Sequence, residues 1–360
     1  MNYLSKYKDI ELVDTLIHEL SKVQTDHVNF MEVCGGHTHA IQKYGIGNML
    51  PKNIHLISGP GCPVCVTEIQ YIDKALAYAD NSNHIIATYG DLMRVPGTSQ
   101  SLEYARSMHQ NIRIVHSPLD VLEIAESNPS KKVIFLAIGF ETTAPGTALL
   151  IKKAYRKKLE NIYILSAHKI MPPAMKFLLD DQMKIDGFIA PGHVTAITGA
   201  AMYLPLMNKY HIPLVIAGFE PVDILQSIHM LLMQIRHRKP VVETQYKRVV
   251  SDSGNQKALE LMNEVFEQKP ATWRGLGVLN NSGLALTKKY DCFDIEKEIP
   301  VQTNSVEPKG CICGNILKGV NKPTECKLFG VKCTPSNPVG ACMVSPEGAC
   351  QAYFIYSEHE

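Results

Sequence analysis

Residues 9–23, "DIELVDTLIHELSKV", put Val13, Leu16, Ile17 and Leu20 on one helical face, which predicts an amphipathic opening helix. After it the pattern changes and then repeats: a short apolar β-branched run, a Gly/Pro/polar turn, a helical stretch. The runs are "VNFMEVC" (Val28–Cys34), "NIHLISG" (Asn53–Gly59), "HIIATYG" (His84–Gly90), "RIVHSP" (Arg113–Pro118), "KVIFLAIG" (Lys132–Gly139), "IYILSAH" (Ile162–His168), "GFIAPG" (Gly187–Gly192) and "PLVIAGF" (Pro213–Phe219). Continuous apolar runs alternating with helices predict parallel strands buried on both faces, an α/β fold. A helix with Ile224, Leu225, Ile228, Leu231, Leu232 and Ile235 follows and ends near "RHRKP", and "NQKALELMNEVFEQ" (Asn255–Gln268) predicts one more.

Eight such units suit either a closed barrel or two four-stranded domains. "SNPSKK" (Ser127–Lys132) reads as a linker that divides the runs four and four, which favours two similar parallel-sheet α/β domains facing a cleft. From Pro300 the chain is rich in turns and cysteine. The expected division is 1–127 for the opening helix and first domain, 128–240 for the second, and 241–360 for a small C-terminal domain held by metal.

Composition narrows the function. Of 360 residues, 45% are hydrophobic and 20% charged, with a formal net charge of +1. That balance offers no electrostatic case for nucleic acid or a membrane surface. The first residues lack the apolar core of a secretory signal, and no segment approaches the ~20 apolar residues of a membrane span. A cytoplasmic protein is expected, where thiols stay reduced. Its ten cysteines then call for metal binding or redox chemistry rather than a disulfide framework. Cys34, Cys62 and Cys65 lie early, none lies between Cys65 and Cys292, and the rest crowd the end. This spacing predicts two sulfur sites.

The first lies where ligands bind in open parallel sheets, beyond the carboxyl ends of strands. "CGGHTH" (Cys34–His39), "GPGCPVC" (Gly59–Cys65), "GDLMRVPG" (Gly90–Gly97), "GFETTAPG" (Gly139–Gly146), "SAHKIMPP" (Ser166–Pro173), "APGHVTAITG" (Ala190–Gly199) and "GFEP" (Gly218–Pro221) all end predicted strands. Cys62-Pro-Val-Cys65 alone is a redox dithiol, half of a metal site or a tight turn. Cys34 comes from the adjacent strand end, so the three sulfurs are expected to meet. A thiol at a helix N-terminus has a lowered pKa and more thiolate, the form that ligates metal and attacks disulfides. Of His37 and His39, at most one is expected to face Cys34, because positions two apart on a helix point different ways. His193 is expected from the facing domain. His168 reads as a structural hydrogen-bonder, and the methionines as core filler. Glu141 and Glu220 read equally as helix caps, ion pairs or functional acids. "GFETTAPG" lacks the lysine and spacing of a phosphate loop.

The second site is the tail, Cys311–Cys350, with six cysteines in forty residues. Paired C-x-x-C knuckles of a zinc site are absent. The wide, irregular spacing favours an iron–sulfur cluster held by four thiolates over zinc, leaving two cysteines over.

The motifs "MEVCGGHTHAI", "GPGCPVCV", "GDLMRVPG", "GFETTAPGTA", "APGHV", "AGFEP", "YKRVV", "WRGLGV", "CKLFGVKCTP" and "MVSPEGAC" span almost the whole chain. In combination they closely resemble the HypD family of hydrogenase maturation factors. The resemblance implies two α/β domains around a cleft, against the barrel, and a third domain with a 4Fe-4S cluster. It implies a metallocofactor assembly scaffold with redox activity, on which the Fe(CN)2CO group of nickel–iron hydrogenases is built together with HypC, with cyanide supplied through HypE and HypF. The family's cleft cysteines map onto Cys34, Cys62 and Cys65, with iron expected there and His37 grouped with them. Its cluster ligands map onto Cys313, Cys326, Cys333 and Cys350, with Cys311 and Cys342 as extras and Cys342 the first to exchange into the set. Cys34 is expected to hold iron with a cysteine of HypC. Cys62 and Cys65, expected to be exposed, cycle between dithiol and disulfide and relay electrons from the cluster. The competing classes are an independent thiol–disulfide oxidoreductase and a zinc-stabilised binding protein.

Overall fold

The structure is a computed structural model that describes residues 8–181 and 183–356; most of the segment in which a signal was sought, residues 1–7, lies outside it. Helix α1 (Ile10–Lys22) starts at Asp9, whose carboxylate accepts from the Glu11 N–H at 2.9 Å. This satisfies one of the helix's orphan donors. Leu20 is buried, and Val13, Leu16 and Ile17 pack beside it, as the periodicity predicts.

The eight predicted runs form eight strands: β1 (Val28–Glu32), β2 (Ile54–Ser58), β3 (His84–Thr88), β4 (Ile112–Ile114), β5 (Lys132–Gly139), β6 (Ile162–His168), β7 (Gly187–Pro191) and β8 (Leu214–Ala217). Three further strands follow: β9 (Val242–Thr244), β10 (Phe266–Trp273) and β11 (Gly277–Leu286). One parallel sheet has the order β2-β1-β7-β8-β9 and the other β4-β3-β5-β6, so the fold is α/β with two parallel sheets and no barrel. Successive residues of β5 explain the unbroken apolar run. Val133, Phe135 and Ala137 face one core, while Ile134, Leu136 and Ile138 face a second core that both sheets share. Each fully buried aliphatic side chain of this kind contributes about 1.5–3 kcal/mol.

The strands do not divide at residue 127. The chain builds β1 and β2, leaves to build all of β3–β6, and returns for β7–β9. The second sheet is thus inserted into the first. The supposed linker is a turn pinned by Asn161, whose amide donates to the carbonyls of Ala125, Asn128 and Lys131 at 3.0–3.2 Å. Nor does the α/β part end at 240. Strand β9 extends the first sheet, and the antiparallel β10–β11 hairpin lies against β6, where Ser166 Oγ donates to Leu284 O at 2.9 Å. The helix predicted over 255–268 stops at Val265, and Phe266 begins β10.

Past residue 300 the described chain runs through turns and short helices (Cys313–Leu317, Ala341–Met343, Ala349–Tyr356). The last packs on helix α2 (Gly35–Lys43), which follows β1. No described helix is long and apolar enough to cross a membrane.

Candidate functional site

Cys34 ends β1 and is the N-cap of α2; its carbonyl accepts from the His37 and Thr38 N–H groups at 2.8 and 3.1 Å. The glycines around it permit close backbone packing. A Cβ on Gly61 would lie 2.2 Å from Cys34 N, and one on Gly35 2.4 Å from Glu347 Cβ. No side chain fits at either position. After β2, Cys62 caps the one-turn helix Pro63–Val66, and its sulfur is bonded to that of Cys65, with a Cα–Cα distance of 5.2 Å.

Two expectations change here. Cys62 and Cys65 are 3% and 0% exposed, so the pair is buried rather than open in the cleft. The three cysteines share one sheet end, with Cys62 and Cys65 bonded to each other beside Cys34. Among the described residues no three His, Cys, Asp or Glu side chains converge to hold a single ion. Finally, Cys34 keeps partial exposure, yet burial, with the Glu347 carboxylate, pushes its thiol up to about 12. Desolvation outweighs the helix N-terminus. Glu32, beneath it, accepts from Cys34 N at 3.0 Å and from Thr38 Oγ1, and burial pushes its carboxyl up to about 8.

His37 is buried against Phe219, with ring centroids 4.6 Å apart, and His193 stacks on Phe219 at 4.1 Å. His37 Nε2 lies 2.9 Å from Gly218 O and 3.3 Å from Ala217 O. Carbonyls only accept, so Nε2 carries the hydrogen. Nδ1 then holds a lone pair with no hydrogen-bond partner among the described residues. Burial lowers His37 to about 4 and keeps it neutral. His39 turns away, to Pro346 O and the Tyr356 hydroxyl. His193 follows β7 and therefore comes from the same sheet as Cys34, not from a facing domain.

The other strand-end residues resolve individually. His168 is a buried hydrogen-bonder, 2.8 Å from Thr147 Oγ1. Glu141 accepts from Met171 N at 3.0 Å, where a helix begins; its second oxygen has no partner among the described residues, and burial pushes the carboxyl up to about 7. Glu220 caps the helix Pro221–Arg236 with Asp223 in a capping box and pairs with Lys8 at 3.5 Å. Asp223 is fully buried and held by both Arg248 guanidinium nitrogens, a pair the sequence reading missed because its members lie 25 residues apart.

In the tail, Cys311, Cys313, Cys326, Cys333 and Cys350 line one cavity with Ile316, Leu328, Phe329, Gly340 and Met343. A Cβ on Gly340 would lie 2.5 and 2.6 Å from the sulfurs of Cys313 and Cys311, so that position must stay bare beside the thiols. Five sulfurs around an apolar-walled hollow are a donor set that fits an iron–sulfur cluster. Cys342 is not part of that lining; it is a fully buried free thiol. Cys311 lies 3.2 Å from Cys313 and lines the cavity with it. The turn that carries Cys342 packs against the Pro63–Val66 helix, which brings the two sulfur sites together.

Comparison with known proteins covers nearly the whole chain. The HypD profile, described as the "Hydrogenase formation hypA family", matches residues 11–357. The chain is 44% identical to hydrogenase maturation factor HypD2 of Bradyrhizobium diazoefficiens, over 99% of this chain and 97% of that one. It is 45% identical to a putative hydrogenase expression/formation protein of Methanocaldococcus jannaschii, over 97% and 98%. It is 43% identical to hydrogenase maturation factor HypD of Cupriavidus necator, over 99% and 97%. With the motifs, the two parallel sheets and the full-length matches in agreement, the chain belongs to the HypD family of hydrogenase maturation factors.

Proposed function

We propose that this chain is the scaffold and redox component on which the Fe(CN)2CO group of nickel–iron hydrogenases is assembled. It works in the cytoplasm with HypC and receives cyanide through HypE, which HypF supplies. The observation that carries the reading is the packing of the Cys62–Cys65 helix against the Cys342 turn, whose neighbours Cys313 and Cys350 line the tail cavity.

Cys34 is the chain's own ligand for the substrate iron. Its thiol stays protonated in the desolvated strand end, and metal binding displaces the proton. Thiolate donation suits a low-spin iron carrying strong-field cyanide and carbonyl. His37, neutral and stacked on Phe219, gives that side of the pocket a lone pair rather than a charge. Cys313, Cys326, Cys333 and Cys350 would hold a 4Fe-4S cluster, which supplies one-electron transfer when bound. The Cys62–Cys65 disulfide takes up two electrons and two protons to become two thiols. An external one-electron donor would supply the electrons, and a cluster held by the tail cysteines would pass them on one at a time. Burial of the pair shields it from bulk thiols, which favours an internal route over independent oxidoreductase turnover.

A Cys34→Ala chain copurified with HypC is expected to lose the infrared bands of bound cyanide and carbonyl while keeping the visible absorption of the tail cluster. Bands that persist would remove Cys34 as the iron ligand. Zinc without iron or sulfide in anaerobically purified protein would replace the cluster with a structural zinc site.

A further inference from the structure

Between Pro308 and Gly340 the chain carries five lysines and a single carboxylate, Glu325, whereas the whole chain has a formal net charge of only +1. The same stretch holds Cys311, Cys313, Cys326 and Cys333, so positive charge gathers around the tail cavity. Lys318 is answered by Asp181 at 3.6 Å. Lys309, Lys327 and Lys332 are exposed and form no ion pair among the described residues.

Lys327 follows Cys326 and Lys332 precedes Cys333, so two of these charges flank the loop "KLFGVK" that closes one wall of the cavity. The loop is wound tightly. Leu328 O accepts the N–H groups of Val331, Lys332 and Cys333 at 3.2, 3.1 and 2.8 Å, and Gly330 makes the reversal with φ +69°. Leu328 and Phe329 line the cavity, while Val331, at the tip, is 78% exposed. A single loop of chain therefore stands between the thiols and solvent. Its outer face is a small apolar contact between two unanswered cations. Transient electron-transfer encounters use contacts of this kind, below about 1,200 Å² and oriented by complementary charge rather than by area. Exposed lysines add little to the chain's own stability, but their field guides the approach of an oppositely charged partner.

We propose that the 327–332 loop is the docking surface of an acidic one-electron carrier protein, which seats on Val331 between Lys327 and Lys332 and delivers electrons across the wall formed by Leu328 and Phe329. The inference rests on the cluster reading above and gives its external donor a place to bind. At each encounter the carrier is oxidised by one electron and the cluster reduced by one, with no bond made or broken. Two encounters supply the electron pair that the Cys62–Cys65 disulfide takes up.

The test uses the full chain with its cluster reconstituted anaerobically, an acidic flavodoxin as the probe, and two readouts. Calorimetry at low ionic strength measures flavodoxin binding. Stopped-flow absorption follows bleaching of the cluster by flavodoxin hydroquinone and, separately, by reduced methyl viologen, a small cation. Lys327→Glu combined with Lys332→Glu is expected to weaken flavodoxin binding at least about tenfold and to slow its electron transfer by a similar factor, without slowing reduction by viologen. Wild-type binding is expected to weaken about tenfold from low to physiological ionic strength. Flavodoxin binding that is undetectable in the wild type, or equal in the two chains, overturns the proposal and leaves the cluster reading intact. Viologen reduction slowed as much as flavodoxin reduction also overturns it, because the substitutions then act on the cluster itself. If the variant holds no cluster, the wild-type salt dependence decides: a fall in affinity supports the proposal and an unmoved affinity overturns it. A wild-type chain that takes up no iron or sulfide overturns both readings.

Discussion

The two sulfur sites are built in opposite ways. The cleft site is fixed by backbone. Gly59 and Gly61 follow β2 and press on the main chain at the end of β1, at Glu32 O and at Val33–Cys34, while Gly35 abuts Glu347 of the tail. The tail site is fixed by sulfur. Its cysteines come from turns and one- or two-turn helices, and five of them line one cavity. A site of the first kind holds its geometry without a ligand. A site of the second kind gains much of its folding energy from the group it binds.

The largest expected effect separates these modes. Gly61→Ala drives a Cβ into the backbone of Cys34, which has no rotamer to yield, and should destabilise the whole chain by about 3 kcal/mol or more. Gly340→Ala drives one into two sulfurs instead. It should abolish the visible cluster absorption while the α/β body unfolds within about 1 kcal/mol of wild type. Urea titration with an absorption scan checks both. Equal losses of stability in the two variants would erase the distinction.

A smaller effect depends on pH and belongs to the strand ends alone. Glu141 has a folded pKa of about 7, raised by burial above the ordinary carboxyl value. Stability from its neutral form is complete below the unfolded pKa and is lost as pH rises through about 7. Glu141→Gln keeps an acceptor for the Met171 N–H and has no proton to lose. It should therefore gain on wild type between pH 5 and pH 8, by on the order of 2–3 kcal/mol at most. A stability difference between the two chains that is identical at both pH values would show the carboxyl to be unshifted.

The smallest effect is a control. Cys292 is exposed and lies outside both sites. Cys292→Ser should change stability by less than about 0.5 kcal/mol and leave cluster absorption and iron capture unaltered. A measurable loss of either would mean that a third sulfur site exists.

Much of this was legible along the chain. Six of the eight apolar runs became strands buried on nearly all positions, where both faces must be apolar, which is a local property; the edge strands β2 and β4 are only partly buried. The loop motifs fell at strand ends for the same reason. The hairpin β10–β11 was missed because "FEQKPATW" and "GVLNNSGLAL" mix polar residues and glycine with few β-branched ones, and they lie on the outside of β6. The exposure expected for Cys62 and Cys65 failed because burial of a short loop depends on what covers it. Here the cover is the Cys342 turn, nearly 280 residues further along.

Sequence by itself determined the element types, the division of the cysteines into two groups and the family. Tertiary structure decided which strands share a sheet. Asn29 and Asp186 exchange two 2.8 Å hydrogen bonds across 157 residues where β1 meets β7, and nothing near either residue encodes that pairing. It also decided that Cys62 and Cys65 are buried and bonded, and that Cys311 rather than Cys342 lines the tail cavity. Local pattern follows from the burial of each segment, whereas adjacency follows from how separate segments stack, and only the folded chain carries that information.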